Sequence, residues 1–560
     1  MNIAHLLAFV GCAAAASAQP LTTIALTGQQ APDLEAGVSY ARLSPPALGA
    51  DGSVVFFATL AGDNLSEDLD EALFFHLNGG SSLLVRESDP APWYAPETRF
   101  VGLSDFAIDT AGSVVLAASV DDPAVSDNAT KARALGIFTQ VGPGTFAALA
   151  RIGDQAAGLP EGDLYETLNS PAVAPDGQSF FTGGRPDDGF DSYAKGLWTD
   201  RTGDVTLLVM PGDPAPGTQD GLFANVETPT PGADGGFVFR GSFRPEGSAD
   251  PAAQGLWHEI QGTLEALALA GNPAPGTTGT FKAFTAQPTR NSTSAAAFRA
   301  TLDTSNTDAD EGVWSDRTGS LGLLVREGDA APGISDATIG TISPHIRMNE
   351  VGDIAFRCTL LGVGPDANGA IYLAHADGSF TLIAQEGDTI ADEVESVVIA
   401  SLGDPLLDAQ GQLLFRAHLA GESVLPTTND ALLAFDAQGA VYSIVREGEL
   451  FDPDGSGMRT IKSIAVDTSA VDRGRTPLDE AGRVGFALSF TDNTFGAFVT
   501  AIGYTSPADF NGDGIIDTRD FVAFLDAWAT LDPAADLDLN GEIDTSDFIA
   551  FLNFWSRDRE

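Results

Sequence analysis

The chain repeats itself about every 59 residues, the distance from Asn349 to Asp408. A repeat of that length constrains architecture more than any single motif, because each unit buries its apolar face only against its neighbours. One recurring segment is LLVREGDAAPG, residues 323–333. It returns at 83–92, 207–217, 268–276, 382–390 and 443–449, and in weaker form at 148–158 and 24–32. A second segment follows each first one, most clearly as NEVGDIAFRCTL at 349–360. Its turn glycine and strand aromatic recur as Gly52/Phe56, Gly177/Phe181, Gly235/Phe239, Gly352/Phe356, Gly411/Phe415 and Gly482/Phe486. Two further copies read Gly112/Leu116 and Ser294/Phe298, which makes eight. A third segment is GLW at 196–198 and 255–257 and GVW at 312–314, with GIF at 136–138 and GAF at 496–498.

A glycine turn followed by apolar and small residues in alternation reads as strand, turn, strand. Each unit therefore holds about four short strands, and eight four-stranded units predict an all-β, eight-bladed β-propeller. An open β-solenoid and tandem sandwiches are the alternatives. The ends favour closure. The N-terminus supplies a lone last-strand segment, LTTIALTG at 21–28, and the eighth unit ends at GAFVTAIG, 496–503, without one. The N-terminal strand is expected to complete the eighth blade and close the ring.

Acidic residues outnumber basic ones 78 to 28, for a net charge of -50. A surface of that sign repels phosphate backbones and anionic membranes, so nucleic acid is not an expected partner. Residues 1–18 read as a secretory signal: an apolar stretch from Ile3 leads to the small-residue cleavage pattern Ala16-Ser17-Ala18. Secretion to the extracellular space or cell surface is the expected localisation. Beyond it one cysteine remains, Cys358, which reads as a buried inert thiol among strand formers. No stretch is long and apolar enough for a membrane-spanning helix.

The second segment carries a resemblance. Asn349, Gly352, Ala355 and Phe356 spell the N-x-x-G-x-x-A-F motif, and residues 20–503 resemble the tandem-repeat NxxGxxAF, choice-of-anchor proteins of bacterial surfaces and secretions. Other copies depart from the motif, with Asp109, Asp408 and Asp479, or Ala174 and Gly232, at the Asn position. The resemblance implies a repeat domain joined to an attachment signal and no established catalytic activity.

Two near copies close the chain, DFNGDGIIDTRD at 509–520 and DLDLNGEIDTSD at 536–547. Calcium takes six to eight oxygens, and a 12-residue loop supplies them from positions 1, 3, 5, 7, 9 and 12 with glycine at 6. In the first loop these are Asp509, Asn511, Asp513, the Ile515 carbonyl, Asp517 and Asp520, with Gly514 at the turn. In the second they are Asp536, Asp538, Asn540, the Glu542 carbonyl, Asp544 and Asp547, with Gly541. Two Ca²⁺ ions are expected. Each loop feeds one helix, FVAFLDAW or FIAFLNFW, and residues 504–508 exclude an entering helix. Two loop-helix units in near two-fold symmetry resemble a dockerin. The expected organisation is thus a signal at 1–18, a repeat propeller at 19–505 and a small α-helical dockerin-like domain at 506–560. The resemblance implies a cohesin-like partner, chosen with the help of Thr518, Arg519, Thr545 and Ser546. The aromatic stripe of the helices reads mainly as core.

Catalytic signatures are absent: the sequence holds no G-x-S-x-G, H-E-x-x-H or C-x-x-C. Residues His76, His258, His345, His375 and His418 occupy unrelated repeat positions. One repeat-wide constellation stands out. Within the first segment the position after the strand-end glycine is Asp154, Asp213, Asp329 and Asp388, with Asp89 after Ser88 and Asn272, Glu449 and Gln29 in the other copies. Either each group caps its own turn, or together they form a ring that binds cations or a polar glycan. The variable stretches after A-P-G, such as 333–344, are the better candidates for ligand specificity. The sequence therefore points to a non-catalytic binding or structural protein that holds a polysaccharide or cell-surface glycan. A carbohydrate-active hydrolase or lyase in a dockerin-based assembly is the alternative. An enzyme would gather non-repeating polar residues in one central cleft.

Overall fold

Alternation of apolar and small residues along each repeat gives strands buried on both faces, and such strands need a neighbour on either side. In the computed structural model they stack as blades. It describes residues 21–503 apart from 64, 66–69, 93–96, 122–132, 170, 185–194, 246–251, 391–396 and 422–423. Towards the C-terminus it describes 508, 510, 518–530, 532, 535, 537, 543 and 545–557. The proposed signal lies outside the described residues.

The described strands form eight antiparallel sheets. Seven span 39–86, 99–151, 167–209, 221–269, 280–326, 338–385 and 398–446, and are blades 1 to 7. In most of them the inner strand is broken into two halves that pair with the same second strand. Blade 4 is typical, with Gly221–Val226 and Thr230–Pro231 both against Phe237–Pro245. Blade 8 consists of Arg459–Ala465, Arg483–Phe490 and Phe495–Ala501, and its outer strand is Thr22–Leu26. Thr22 pairs with Val499, Thr23 with Phe498, and Leu26 with Gly496. The N-terminal strand closes the ring as expected.

The core lies between blades. Eight buried apolar clusters each join consecutive blades, and one of them joins blade 8 back to blade 1 through Ala25 and Ala497. Between second and third strands, blades 2 and 7 pair Leu116 with Phe138 and Phe415 with Leu433, and in the other six an aromatic of the second strand faces one of the third across the ladder, as with Phe298 and Trp314 or Phe239 and Trp257. These rings stack at centroid separations of 6.2 and 5.8 Å. The G-x-W spacing follows from this packing. The Trp314 indole folds back over Gly312, where a Cβ would lie 2.7 Å from Cη2.

The A-P-G element has an equally local cause. Its proline or alanine carbonyl accepts a hydrogen bond from the third-strand aromatic of the following blade. Trp198 Nε1 donates to Ala157 O at 2.8 Å, Trp257 to Pro216 O at 3.1 Å and Trp314 to Pro275 O at 3.0 Å, while Tyr372 Oη donates to Pro332 O at 3.1 Å. The N-x-x-G turn works alike. Asn349 Oδ1 accepts from Asp353 N at 2.8 Å and its amide donates to Asp408 O of the next blade at 3.1 Å. Asp109, Asp408 and Asp479 keep the same acceptor role, which explains why Asp replaces Asn there. The fourth turn residue has positive φ, 89° at Gly352. Ser294 holds that conformation at 69° without being glycine.

Two helices follow the propeller in sequence, Thr518–Thr530 and Thr545–Arg557. Phe524 and Phe551 are fully buried and stack at 4.2 Å. Phe521, Phe548, Trp528 and Trp555 pack around them. The stripe is core, as its spacing predicts.

Candidate functional site

The repeat-wide carboxylates resolve first. Asp89 Oδ2 accepts from Arg86 N at 2.9 Å, Asp213 from Met210 N at 2.8 Å, Asp329 from Arg326 N at 2.8 Å and Asp388 from Gln385 N at 2.7 Å. Glu449 and Gln29 do the same at 3.0 Å. Each caps the turn that ends its own outer strand. Asp154 pairs with Arg151 Nε at 2.8 Å, and burial pushes its carboxyl up to about 6. These groups serve the turns, which leaves the ring reading without support.

The non-repeating chemistry lies at the centre. In blades 1 and 3 to 7 only three or four residues separate the two halves of the inner strand. In blade 8 the equivalent stretch runs from 466 to 477 and enters the central channel. It carries a short 3-10 turn, Val471–Arg473. Three blades hold this plug. Arg347 of blade 6 forks onto Asp472 at 3.0 and 3.1 Å. Asp105 of blade 2 accepts from Arg473 at 3.0 Å and from Arg475. Leu48 N of blade 1 donates to Thr476 O, and Ile108 N of blade 2 to Gly474 O, both at 2.9 Å. Arg475 also reaches Asp467 at 2.9 Å and lies over the Phe106 ring.

Beside the plug is a cleft of about 490 Å³. Its walls are the inner-strand breaks of blades 3, 4 and 5, the end of the inner strand of blade 4, the second strands of blades 3 and 4 and the start of the third strand of blade 3. Asn169, Lys195, Asn225, Glu227, Arg240 and Gln287 line it, and Ser469, Asp472 and Arg473 of the plug complete it. Three of the variable stretches after A-P-G thus converge here. The example at 333–344, which includes the inner strand Thr338–Ile342 of blade 6, supplies none of the lining residues. A narrower space of about 240 Å³ is lined by the second half-strands around the ring and by Val471 and Gly474.

The charges of the cleft are largely bound to protein partners. Glu227 accepts from Arg240 Nε at 3.0 Å and from Gln287 Nε2 at 2.9 Å. Arg240 also donates to Phe284 O at 2.7 Å. Asp472 holds Arg347, and Arg473 holds Asp105. Lys195 Nζ donates to the neutral Asn169 Oδ1 at 3.0 Å and has no carboxylate partner among the described residues. The histidines are scattered. His76, His375 and His418 each meet a hydroxyl of their own blade at 2.8 to 3.0 Å. His258 is buried, and burial lowers its pKa.

Sequence reasoning missed the plug and the arginines. Both had a signal. Glu449 and the turn residue Asp479 are 30 positions apart (479 − 449), whereas Asp329 and Asn349 are 20 apart (349 − 329). Arg240, Arg299, Arg357 and Arg416 each follow the second-strand phenylalanine of their unit. They pair with Glu227, Glu311, Asp404 and Asp430.

Of the twelve expected calcium ligands, Asp520 and Asp547 are described, at position 12 of each loop. Both carboxylates are fully buried. Asp547 Oδ1 accepts from Leu537 N, the second residue of its loop, at 2.8 Å. The carboxylate thus folds back onto its own loop. Asp509, Asn511, Asp513, Ile515, Asp517, Asp536, Asp538, Asn540, Glu542 and Asp544 lie outside the described residues. Among the described residues no group of three His, Cys, Asp or Glu is placed to hold a metal. Thr518, Arg519 and Thr545 are exposed at the helix starts, and nothing is described of the Ser546 side chain.

Solved structures match the chain at low identity. The β-propeller domain of the Trilobed protease from Pyrococcus furiosus is 10% identical, with a TM-score of 0.35, over 72% of this chain and 98% of that one. The Dos1 propeller is 9% identical, with a TM-score of 0.38, over 87% and 96%. Polysaccharide lyase Uly1 is 10% identical, with a TM-score of 0.35, over 72% and 89%. No curated protein matches the sequence. The match that spans the repeat region, at residues 13–308 and 285–503, is to a family of unknown function, and the chain is a member of that family, DUF7453.

Proposed function

We propose that the protein is a secreted or cell-surface binding protein without catalysis of its own. Its propeller holds a polysaccharide or cell-surface glycan in the cleft beside the plug. Its C-terminal loop-helix pair resembles a dockerin and docks onto a cohesin-like partner. The observation that carries the binding reading is the state of the cleft carboxylates. Glu227 is occupied by Arg240 and Gln287, and Asp472 by Arg347. General acid-base work needs a carboxyl free to exchange a proton with substrate. Hydroxyls and amides of the kind that recognise a sugar, by contrast, are present on every wall.

Calcium acts in this reading as a folding ligand. Asp509, Asn511, Asp513, Ile515, Asp517 and Asp520 would hold one ion, and Asp536, Asp538, Asn540, Glu542, Asp544 and Asp547 the other. The ions neutralise carboxylates that otherwise repel, and they bind only the folded form. The turn of the Asp547 carboxylate back onto its own loop, where it accepts from Leu537 N, supports this. Thr518, Arg519, Thr545 and Ser546 stand at the helix starts, where a partner would read them.

A hydrolase or lyase remains the second reading, favoured by one observation: the cleft gathers non-repeating polar residues at a single place. A glycan array on the whole protein, followed by a polysaccharide-degradation assay, separates the two. Binding without turnover is expected. Turnover lost in Glu227→Gln would overturn the non-catalytic reading. Calcium titration of Asp509→Ala plus Asp536→Ala should show both sites lost, and unchanged binding would sink the calcium assignment.

A further inference from the structure

We propose that the cleft takes a carboxylate-bearing sugar, a hexuronate residue free or at the end of a short chain, with the Lys195 ammonium as its charge partner. This rests on the glycan-binding reading above and narrows it to an acidic ligand.

The first argument is sign. The chain carries a net charge of -50, yet the cleft lining holds Lys195, Arg240 and Arg473 against Glu227 and Asp472, a balance of 3 − 2 = +1. Adding the partners outside the lining, Arg347 for Asp472 and Asp105 for Arg473, leaves the balance at +1. The surplus is Lys195, one of four lysines in the chain. An ammonium has three donors. One is used on Asn169 at 3.0 Å, which leaves donors for a ligand carboxylate.

The second argument is the neutral lining. Asn169, Asn225, Gln287, Thr228 and Ser469 present amides and hydroxyls, which both donate and accept and so suit a hydroxyl-rich ring. Among the described residues no aromatic side chain lines the cleft, and the contacts they offer a ligand are polar. The volume, about 490 Å³, falls inside the range of small-molecule sites, roughly 300–1,000 Å³. The acidic exterior repels a long polyanion, a field screened beyond about 10 Å at 0.1 M salt. A short acid or a chain end therefore fits better than the middle of a polymer.

Calorimetry on the whole protein tests this with galacturonate and glucuronate oligosaccharides, their methyl esters, and neutral galactose oligomers. The acids should bind. Methyl esterification, or Lys195→Gln, should weaken binding about ten- to a hundredfold, the range for a hydrogen bond to a charged group. Lys195→Arg should retain most of it. Acid, ester and neutral sugar binding with equal affinity would overturn the uronate assignment and leave the glycan reading standing. Failure of every saccharide to bind would overturn both. The esters keep the test decisive if Lys195→Gln does not fold.

Discussion

Asp105→Ala should release the plug while the ring stays closed. Asp105 is 11% exposed at its side chain and takes two guanidinium groups, Arg473 and Arg475, 22% and 13% exposed. Removing one partner of a buried ion pair costs about 3–5 kcal/mol. Here Arg475 keeps Asp467 at 2.9 Å and Ser469 Oγ at 2.9 Å, and Arg473 is partly solvated, so about 2–4 kcal/mol is the fitting range. At 1.4 kcal/mol per decade, the population of the undocked plug rises about 30- to 700-fold. Trypsin reads that population directly, because Arg473 and Arg475 are themselves its cleavage sites. Where opening and closing are fast, nicking tracks the open fraction. Early cleavage after 473 or 475 is expected in the variant, with the melting transition of the blades nearly unmoved. Arg347→Met, which removes the partner of Asp472, should act in the same direction. The double variant should fall short of the sum, because both anchors hold one element. Nicking at the parental rate would refute the anchoring role. Cleavage rising equally at arginines throughout the blades would show that Asp105 supports the ring and not the plug.

Other predictions concern the repeat itself. Trp314→Phe keeps the stack on Phe298 but leaves the Pro275 carbonyl without its donor, so chemical denaturation should show a loss of about 1–2 kcal/mol. A neutral result would remove the A-P-G carbonyl from the stabilising contacts. Asp329→Ala deletes the bond to Arg326 N and should cost about 1 kcal/mol without altering cation or glycan binding, whereas weakened cation binding would revive the ring reading. Burial pushes the Cys358 thiol up to about 12, so a thiol reagent at pH 8 should label it only after denaturant is added. His258 is buried with a lowered pKa, so the unfolded chain takes its proton near 6.5 and the folded chain does not. Stability should fall as pH drops below about 6.5, and His258→Gln should flatten that slope. An identical slope in the variant would place the dependence elsewhere.

The eight units, the four strands in each and the closing N-terminal strand are all legible in the sequence, because each is written by a local rule that recurs. The glycine turn, the paired aromatics and the complementary ends need no long-range information. The cleft is less legible. Asn169 and Lys195 come from blade 3, Asn225 from blade 4 and Gln287 from blade 5, and they share no motif, so only the ring brings the three blades' residues together. Lys195 reads in isolation as an ordinary strand-end lysine. For the carboxylates before A-P-G turn capping is the reading that local chemistry favours over a ring, and the 2.7–2.9 Å bonds to the turn N–H groups of Asp89, Asp213, Asp329 and Asp388 bear it out. The plug was visible as ten extra positions between Glu449 and Asp479, but insertion length does not say whether a segment folds outward over the surface or inward to the axis. The arginines Arg473 and Arg475 beside it decide that only once Asp105, 368 and 370 positions away, is in reach.

The closing strand also sets an order in time. Thr27 bonds to Phe495 across 468 positions, so the first blade strand made is the last to be paired. At roughly 5–20 residues per second of synthesis, it waits about 23–94 s for its partner. Throughout that interval an apolar strand edge stays open, the kind of edge on which neighbouring chains pair and aggregate. The charge of -50 then acts before the fold exists, since strongly like-charged nascent chains repel one another. A surface that reads in the finished molecule as simple solubility is, during assembly, what keeps one chain's first strand for its own eighth blade.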